Sequence, residues 1–453
     1  QEFDIMKDVI LLFQKTLTKF AISPLIHKNH ILQMKIFEKK FKLQKNYDIY
    51  SEIIEILLKQ NQIIHSPQIL DFKLYIHDAC DKDDTEKVSL LTMKKIEKNG
   101  FVFYLNENDQ TAILLQHLDD DFDYEEEGKK SILIPRSVIY DSREYIVTEI
   151  GSESLSYEDM NSVEFPEDSE VKTIAENAFF ESDLESLTIP SSVVELKDSW
   201  CHAARNLINI SISSENQNFS FYNDTFIIGK SDISSNVKDV LLFMRRDIET
   251  VKIPSFVKII SPYAFNSCYS LTSIEFEENS ELKYIEEKAF FNCSLKSIVI
   301  PQHVVKIGEF SFCNCHIKKI EFAKNSELKF IDNSAFSSSY IESIVIPSNV
   351  IHIGVNAFSN CTKLKKVEFS DENKIHSFGE YIFQCSSVEN ISIPSTVFEL
   401  ETGWCSQTHN LINIKISPNN HYFKYIDDKF LFGKSNLLTD DFDVLLFVRR
   451  DIE

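Results

Sequence analysis

The sequence predicts an elongated solenoid of the α/β repeat class, with an α-helical region at its N-terminus. Two observations lead to this prediction. After residue 99, one short pattern of apolar residues recurs at intervals of about 23 residues. Residues 1–95 lack that pattern and instead place apolar residues at helical spacing. We therefore divide the chain into a helical region, residues 1–95, and a solenoid, residues 96–453.

The repeat is clearest between residues 271 and 394. Leu295–Pro301 matches Ile341–Pro347 and Val388–Pro394, and variants that end in Glu-Phe, such as Leu271–Phe276, lie between them. Two kinds of unit therefore alternate. Apolar residues at alternate positions predict a short strand with one face inward. Proline lacks an N–H group, and it ends predicted strands at Pro135, Pro190, Pro254, Pro301, Pro347 and Pro394.

A phenylalanine recurs once in each unit after the strand. One unit cannot bury its own apolar side, so neighbouring units must stack on it. We expect these rings to form a column inside the solenoid, with the short parallel strands on its concave face. The recurring residues are Phe265, Phe290, Phe312, Phe336, Phe358 and Phe383.

These motifs resemble the BspA-like leucine-rich-repeat family. The family signature, an Ile-Pro strand followed by Ile-Gly and Ala-Phe, is complete in Ile346–Pro347, Ile353–Gly354 and Ala357–Phe358. The resemblance covers roughly residues 99–453. It implies a leucine-rich-repeat solenoid and a non-enzymatic role as a surface antigen, in protein interaction or cell-surface adhesion.

A longer repetition contains the shorter one. Residues 183–249 align without gaps to residues 387–453, and Gly229–Ser231 matches Gly433–Ser435. The first copy continues into another predicted strand, whereas the second copy ends with the chain. We therefore expect a fragment, truncated at its C-terminus, of a longer protein with more coils.

The N-terminal region has helical periodicity at residues 4–20 and 48–60, and weaker signals at residues 30–44 and 83–97. It either caps the exposed core of the first coil or forms a small domain of its own.

Charge and hydropathy exclude some partners. The net charge is −23, and residues 1–100 carry 16 Lys and Arg against 14 Asp and Glu, so the acidity lies in the repeats. An acidic surface repels phosphate backbones, which argues against nucleic acid. No apolar run is long enough to span a bilayer, and no signal-peptide pattern is present. The oligomeric state cannot be derived from these features.

Several cysteines suggest chemistry, but a role in packing explains them better. Five follow the repeat phenylalanine by two or three residues and should form an inward column of small buried side chains: Cys268, Cys293, Cys315, Cys361 and Cys385. Cys313, Cys315 and His316 resemble metal ligands, but no second cluster supplies the missing ones. Unpaired inward thiols favour a reducing compartment. We predict no metal and no cofactor.

Other candidates also have simpler explanations. Gly229–Ser231 resembles the end of a phosphate-binding loop, but Asp224 stands where that loop needs glycine, so we predict a hairpin turn. Trp200–His202 should pack a widened coil. Arg245 and Arg246 either pair with nearby acids such as Asp247 or grip a carboxylate ligand. The acidic run 119–127 lacks the spacing of a calcium loop. No catalytic set of residues emerges from these comparisons.

A binding face follows from the strand pattern. If the first, fourth and sixth residues of each unit are buried, the third and fifth face outward, and solenoids bind partners on such faces. Charged and small or apolar outward pairs alternate along it. The predicted face consists of Ser273, Glu275, Ser297, Val299, Lys319, Glu321, Ser343, Val345, Lys366, Glu368, Asn390 and Ser392.

The sequence therefore predicts a non-enzymatic protein that binds a protein or glycan ligand through its repeats. The family resemblance favours the cell surface. The alternative is an intracellular scaffold, favoured by the free thiols and by the absence of a signal peptide and a membrane span in the sequence. An enzyme that presents substrates to a separate catalytic domain has no support in these residues.

Overall fold

The computed structural model describes residues 93–118 and 130–449, apart from residues 233 and 371. These residues form a β-solenoid of about 12 coils, and each coil contributes one strand to a 4-stranded or an 8-stranded parallel sheet. The predicted solenoid with parallel strands is thereby confirmed.

The predicted helices at residues 4–20, 30–44 and 48–60 lie outside the described residues, as does the acidic run 119–127. Of the helix predicted over residues 83–97, the structure describes only residues 93–97, and there the prediction is wrong. Residues 94–98 form a strand instead, because their alternating side chains place Ile96 against the core.

Three antiparallel strands, Lys94–Lys98, Phe101–Asn106 and Thr111–His117, precede the first coils. One sheet has the order β1-β2-β3-β6-β8-β10 with β5 paired to β6, and the other has the order β11-β9-β7-β4. The strands are β1 (Lys94–Lys98), β2 (Phe101–Asn106), β3 (Thr111–His117), β4 (Ser131–Leu133), β5 (Ser137–Tyr140), β6 (Arg143–Ile150), β7 (Ser162–Glu164), β8 (Thr173–Ile174), β9 (Ser186–Ile189), β10 (Glu195–Leu196) and β11 (Asn209–Ile212).

An antiparallel three-stranded insertion then interrupts the coils. It consists of β12 (Ser220–Tyr222), β13 (Phe226–Gly229) and β14 (Val240–Met244). Ile227 and Phe243 face the core of the first coils, whereas Phe226 and Leu241 face the core of the later coils. The insertion therefore separates two hydrophobic cores and is buried from both sides.

Eight further coils follow in strict alternation of front and back strands. We call the 8-stranded sheet of β15, β17, β19, β21, β23, β25, β27 and β29 the front sheet. The strands are β15 (Thr250–Ile253), β16 (Ile259–Ile260), β17 (Ser273–Phe276), β18 (Tyr284–Ile285), β19 (Ser297–Ile300), β20 (Lys306–Ile307), β21 (Lys319–Phe322), β22 (Phe330–Ile331), β23 (Ser343–Ile346), β24 (His352–Ile353), β25 (Lys366–Phe369), β26 (Ser377–Phe378), β27 (Asn390–Ile393), β28 (Glu399–Leu400) and β29 (Asn413–Ile416).

The longer repetition seen in the sequence is also a structural one. The described chain ends in a second insertion of the same form, with β30 (Phe423–Ile426), β31 (Phe430–Gly433) and β32 (Val444–Val448). Strands β27 to β32 therefore repeat β9 to β14. One difference is exposure: Leu445 is 51% exposed, whereas its counterpart Leu241 is fully buried in the core of the later coils.

The α/β class is wrong for the described residues, none of which form a helix. The return path of each coil consists of turns and a two-residue back strand. Helices are absent there because two residues in each turn have a left-handed backbone conformation. They lie two positions before and two positions after the repeat phenylalanine, as at Lys288 (φ 52°) and Asn292 (φ 60°). Such residues cannot continue a right-handed helix.

The aromatic column is confirmed. All six repeat phenylalanines are buried, and neighbouring rings stack with centroids 4.6 to 5.9 Å apart. The backbone alongside is also linked between coils, since the N–H of Phe312 donates to the carbonyl of Ala335 at 2.8 Å. Burial and stacking of the same residue in six successive coils fix the register between those coils.

The Ile-Gly motif has a steric cause. A Cβ atom on Gly354 would lie 2.5 Å from the backbone nitrogen of Asn333, and one on Gly308 would lie 2.7 Å from the carbonyl carbon of Glu286. These separations leave no room for a side chain, so glycine allows adjacent coils to approach closely at these two places.

Candidate binding surface

The front sheet directs alternate side chains outward. In β19, Ile298 and Ile300 are buried, whereas Val299 is 51% exposed. Because the strands are parallel and in register, the outward residues form two rows. The first row is Thr250, Ser273, Ser297, Lys319, Ser343, Lys366, Asn390 and Asn413, and the second is Lys252, Glu275, Val299, Glu321, Val345, Glu368, Ser392 and Lys415.

All twelve residues of the predicted face lie in these two rows. Nine are exposed, and Glu368, Asn390 and Ser392 are half-buried. Ser392 is partly covered because its hydroxyl accepts a hydrogen bond from the N–H of Phe369 at 2.9 Å. The outward geometry is therefore as predicted, although that geometry does not by itself make the face a binding site.

Both rows are longer than the predicted face. Thr250 and Lys252 begin them, and Asn413 and Lys415 end them. The strand pattern around Val251 and Ile253, followed by proline, was a sufficient signal for the first end.

Charged and apolar groups alternate along the second row. Lys319 pairs with Glu321 at 2.7 Å and Lys366 pairs with Glu368 at 2.5 Å. Exposed pairs of this kind contribute about 0–1 kcal/mol, so the lysines stay available to a partner. Val345, which is 59% exposed, lies between the two glutamates. The surface can offer ion pairs, hydrogen bonds and apolar contacts close together.

The cysteine column is confirmed at four of its five positions. Cys268, Cys293, Cys315 and Cys361 are fully buried, and the eight described cysteines are free thiols. The prediction is wrong for Cys385, which is half-buried. Cys385 is two residues after its phenylalanine and has a left-handed φ of 55°, which turns it away from the core. The inward position, three residues after the phenylalanine, belongs to Ser386.

Metal ligation was the other reading of the cysteines. Within residues 93–118 and 130–449, no group of three or more His, Cys, Asp or Glu side chains is placed to hold a metal ion. His316 contacts the ring of Tyr340 at a centroid distance of 5.1 Å. Cys313 is buried, and burial raises its pKa to about 11.

The two arginines of the first insertion behave differently. Arg245 pairs with both carboxylate oxygens of Asp247, at 2.7 and 3.0 Å, as one of the alternatives predicted. Arg246 is buried and contacts the sulfur of Cys268 at 3.1 Å and the ring of Phe243 at 4.4 Å. Burial raises the pKa of Cys268 to about 11, so this thiol stays neutral near pH 7. Arg246 therefore packs the core as a cation surrounded by neutral groups.

The remaining motifs are structural, as expected. Gly229 ends β13, and the N–H of Ser231 donates to a carboxylate oxygen of Asp239 at 3.0 Å across the connection to β14. The predicted hairpin is confirmed. Trp200 is buried and its ring packs against those of Phe179 and Phe243 at 6.1 and 5.7 Å, which confirms its packing role.

Coils of this length, each with one parallel front strand and six of them with a stacked phenylalanine, define a leucine-rich-repeat solenoid. A family model described as the BspA type leucine rich repeat region matches six copies, over residues 143–241, 239–328 and 306–438. These ranges make up well over half of the chain, which therefore belongs to this family. In the part that the structure describes, no helix has the length and apolarity to cross a bilayer.

Several solved structures are similar to this chain. A leucine rich cell surface protein from Faecalibacterium prausnitzii is 21% identical over 72% of this chain and 95% of its own, with a TM-score of 0.35. A leucine-rich repeat protein from Eubacterium ventriosum is 19% identical over 73% and 97%, with a TM-score of 0.45. The pneumococcal vaccine antigen PcpA is 16% identical over 72% and 98%, with a TM-score of 0.39. A search of curated proteins found no match.

Proposed function

We propose that this protein is a non-enzymatic, surface-antigen-like binding protein whose front sheet holds a protein partner. The observation that carries the proposal is the second row of outward residues. There Glu275, Val299, Glu321, Val345 and Glu368 follow one another across five neighbouring strands. Exposed valines between charged groups suit a protein interface, which combines apolar contact with polar complementarity.

The charge of the front sheet supports the same proposal. The chain carries a net charge of −23, yet the two outward rows contain four lysines and three glutamates. The face is thus close to neutral on an acidic protein. Partners of either charge can approach it, and its lysines can pair with acidic groups of a partner.

Location is the second part of the proposal. Membership of the BspA type family favours exposure at the cell surface, where the protein would act in adhesion. The alternative is an intracellular scaffold, which the eight free thiols favour because secreted proteins commonly oxidise their cysteines. Protease digestion of intact cells distinguishes the two, since only a surface protein is degraded.

Photo-crosslinking tests the choice of face. A photoreactive phenylalanine analogue at Val299 or Val345 should crosslink the protein partner, whereas the same analogue at Tyr284 or Phe330 should not. Tyr284 and Phe330 are exposed on back strands and serve as the matched controls. Equal crosslinking from both sets would refute a specific role for the front sheet.

A charge reversal then measures the contribution of the lysines. The double variant Lys319→Glu and Lys366→Glu should weaken binding of the crosslinked protein by about tenfold or more. The control is Lys283→Glu with Lys329→Glu, an equal change of charge at exposed residues next to back strands. Surface plasmon resonance gives both affinities, and circular dichroism checks that the fold is retained. Unchanged affinity in the front-sheet variant would contradict the proposal.

A further inference from the structure

A groove of about 410 Å³ lies where β9 and β11 meet the first insertion. Outward side chains of the two strands form its floor, and the β12–β13 turn forms one wall. Polar groups dominate the lining, with one aromatic ring among them. The groove is formed chiefly by Ser186, Thr188, Asn209, Phe221, Asp224 and Arg245.

The floor of the groove supplies hydroxyl and amide groups. Asn209 pairs with Ser186 across the two parallel strands, and Ser211 pairs with Thr188. The hydroxyls of Thr188 and Ser211 lie 2.7 Å apart and share one hydrogen bond. Each hydroxyl keeps further acceptor capacity for a ligand.

The wall of the groove supplies a carboxylate. Tyr222 to Thr225 forms a tight turn, because the N–H of Thr225 donates to the carbonyl of Tyr222 at 3.0 Å. Its central residues, Asn223 and Asp224, have φ values of 48° and 50°. Glycine is strongly preferred at the second of these positions, so the turn itself does not require aspartate there. The carboxylate of Asp224 is exposed and accepts no hydrogen bond from the other described residues.

The charged groups beside the groove determine which class of ligand it can bind. Both oxygens of Asp247 neutralise Arg245, and one nitrogen of Arg245 donates to the backbone carbonyl of Asp224 at 3.0 Å. Arg245 therefore braces the turn, and its guanidinium attracts the carboxylate of Asp224 as well as that of Asp247. Two carboxylates beside one guanidinium leave a net negative charge next to the groove. An anionic ligand is disfavoured, whereas a neutral ligand rich in hydroxyl groups can donate to the carboxylate. The half-buried ring of Phe221 offers an apolar surface beside these polar groups.

The second long repeat keeps part of this arrangement, with Lys415 in place of Ser211 and Asp427 in place of Asn223. Asn413 pairs with Asn390 on β29 and β27, and a nitrogen of Arg449 donates to the carbonyl of Asp428 at 3.3 Å. Asp428 is exposed and has a φ of 51°, like Asp224. Phe221 is replaced by Tyr425, which keeps the aromatic ring. The carboxylate at the turn is thus present in both copies, although neither turn requires it.

We infer that this groove, and the corresponding place beside Asp428 in the second long repeat, each bind a neutral saccharide. The carboxylate of Asp224 or Asp428 accepts hydrogen bonds from sugar hydroxyls. The polar side chains of the strands on the groove floor, β9 and β11 or β27 and β29, form further hydrogen bonds with the sugar. The ring of Phe221 or Tyr425 packs against the apolar face of the sugar. The inference goes beyond the protein partner of the front sheet. The groove at β9 and β11 lies outside that sheet, whereas the second place shares Asn390 and Asn413 with it.

Titration with defined sugars tests the inference on the full chain. The probes are cellotriose, maltotriose and chitotriose, with sialyllactose as the anionic comparison, and binding is measured by isothermal titration calorimetry and saturation-transfer NMR. We expect at least one neutral trisaccharide to bind with a stoichiometry near two, and more tightly than sialyllactose. Absence of binding by all three neutral sugars, or a preference for sialyllactose, would overturn the inference.

Substitution of the turn locates the site. Asp224→Gly with Asp428→Gly removes the carboxylate at the second central position of each turn and places there the residue that the turn prefers, so the fold is retained. This variant should lose affinity for the bound trisaccharide by about tenfold or more. Asp224→Gly alone should reduce the stoichiometry to one. The matched control, Asn223→Gly, changes the same turn and keeps the carboxylate, so it should bind as the unaltered chain does. Equal affinity in the double variant and the control would refute the inference.

Discussion

The aromatic column allows a direct measurement of how neighbouring coils stabilise one another. Phe290 and Phe312 stack with centroids 4.9 Å apart and ring planes 8° apart, and Phe336 is the next ring, 5.4 Å from Phe312. We consider a double-mutant cycle in which Phe290 and Phe312 are each replaced by leucine. Leucine keeps the position apolar and removes the stacked ring.

The expected magnitude follows from burial and geometry. All three rings are fully buried. Each single change should lower the free energy of unfolding by about 1–3 kcal/mol, because leucine fills the site incompletely. The direct stack adds a coupling of about 0.5–1.5 kcal/mol between Phe290 and Phe312. Phe290 and Phe336 are separated by one ring and should couple by less than about 0.5 kcal/mol.

Urea unfolding followed by circular dichroism gives the four free energies of each cycle. Because a solenoid can unfold in parts, amide exchange at the N–H groups of Phe290, Phe312 and Phe336 should be measured as well. The Phe290–Phe336 cycle is the control. A coupling in the Phe290–Phe312 cycle no larger than in the control would refute the idea that ring stacking joins adjacent coils.

Two further predictions concern stability. Gly354→Ala should lower the free energy of unfolding by about 1–3 kcal/mol, because its Cβ would lie 2.5 Å from the backbone of the preceding coil. Glu286→Ala, at the same place in another coil, should cost less in the same urea assay, and equal losses would contradict the steric argument. Burial, together with Lys288 and Arg246, lowers the pKa of His202 from 6.5 to about 4. The unfolded chain therefore binds this proton first as the pH falls from about 6.5 to about 4, and stability decreases across that window. His202→Ser, which copies Ser406 of the second repeat, should weaken this pH dependence of the unfolding midpoint, and an unchanged slope would argue against the buried neutral histidine.

The repeat made much of the fold predictable. A residue such as Phe312 meets its own counterparts, Phe290 and Phe336, one coil away on either side. The period of the sequence therefore predicts which residues surround Phe312. The inward and outward positions of the front strands follow from the same periodicity, which is why the outward orientation of the twelve residues was predictable.

Other features depended on backbone conformation that the pattern does not encode. The return path contains turns instead of helices because left-handed residues such as Lys288 and Phe310 recur there, and neither residue type signals that conformation. Cys385 was misplaced for the same reason. One residue of displacement after the phenylalanine moved it from an inward to an outward position.

Contacts between segments that are distant in the chain are the hardest to predict from the sequence. Arg245 and Arg246 are adjacent and both charged, yet one pairs with Asp247 at the surface and the other is buried against Cys268. The groove likewise needs two strands and a turn that meet only after folding.

The sequence by itself determined the solenoid, its period, the residues that face its core and the two copies of the long repeat. It could do so because each unit of a solenoid packs against units with the same residue pattern. Only the tertiary structure decided which charged groups are buried and where polar side chains converge into a groove. Those outcomes depend on distances between segments such as Ser186 and Asp224, which no periodicity relates.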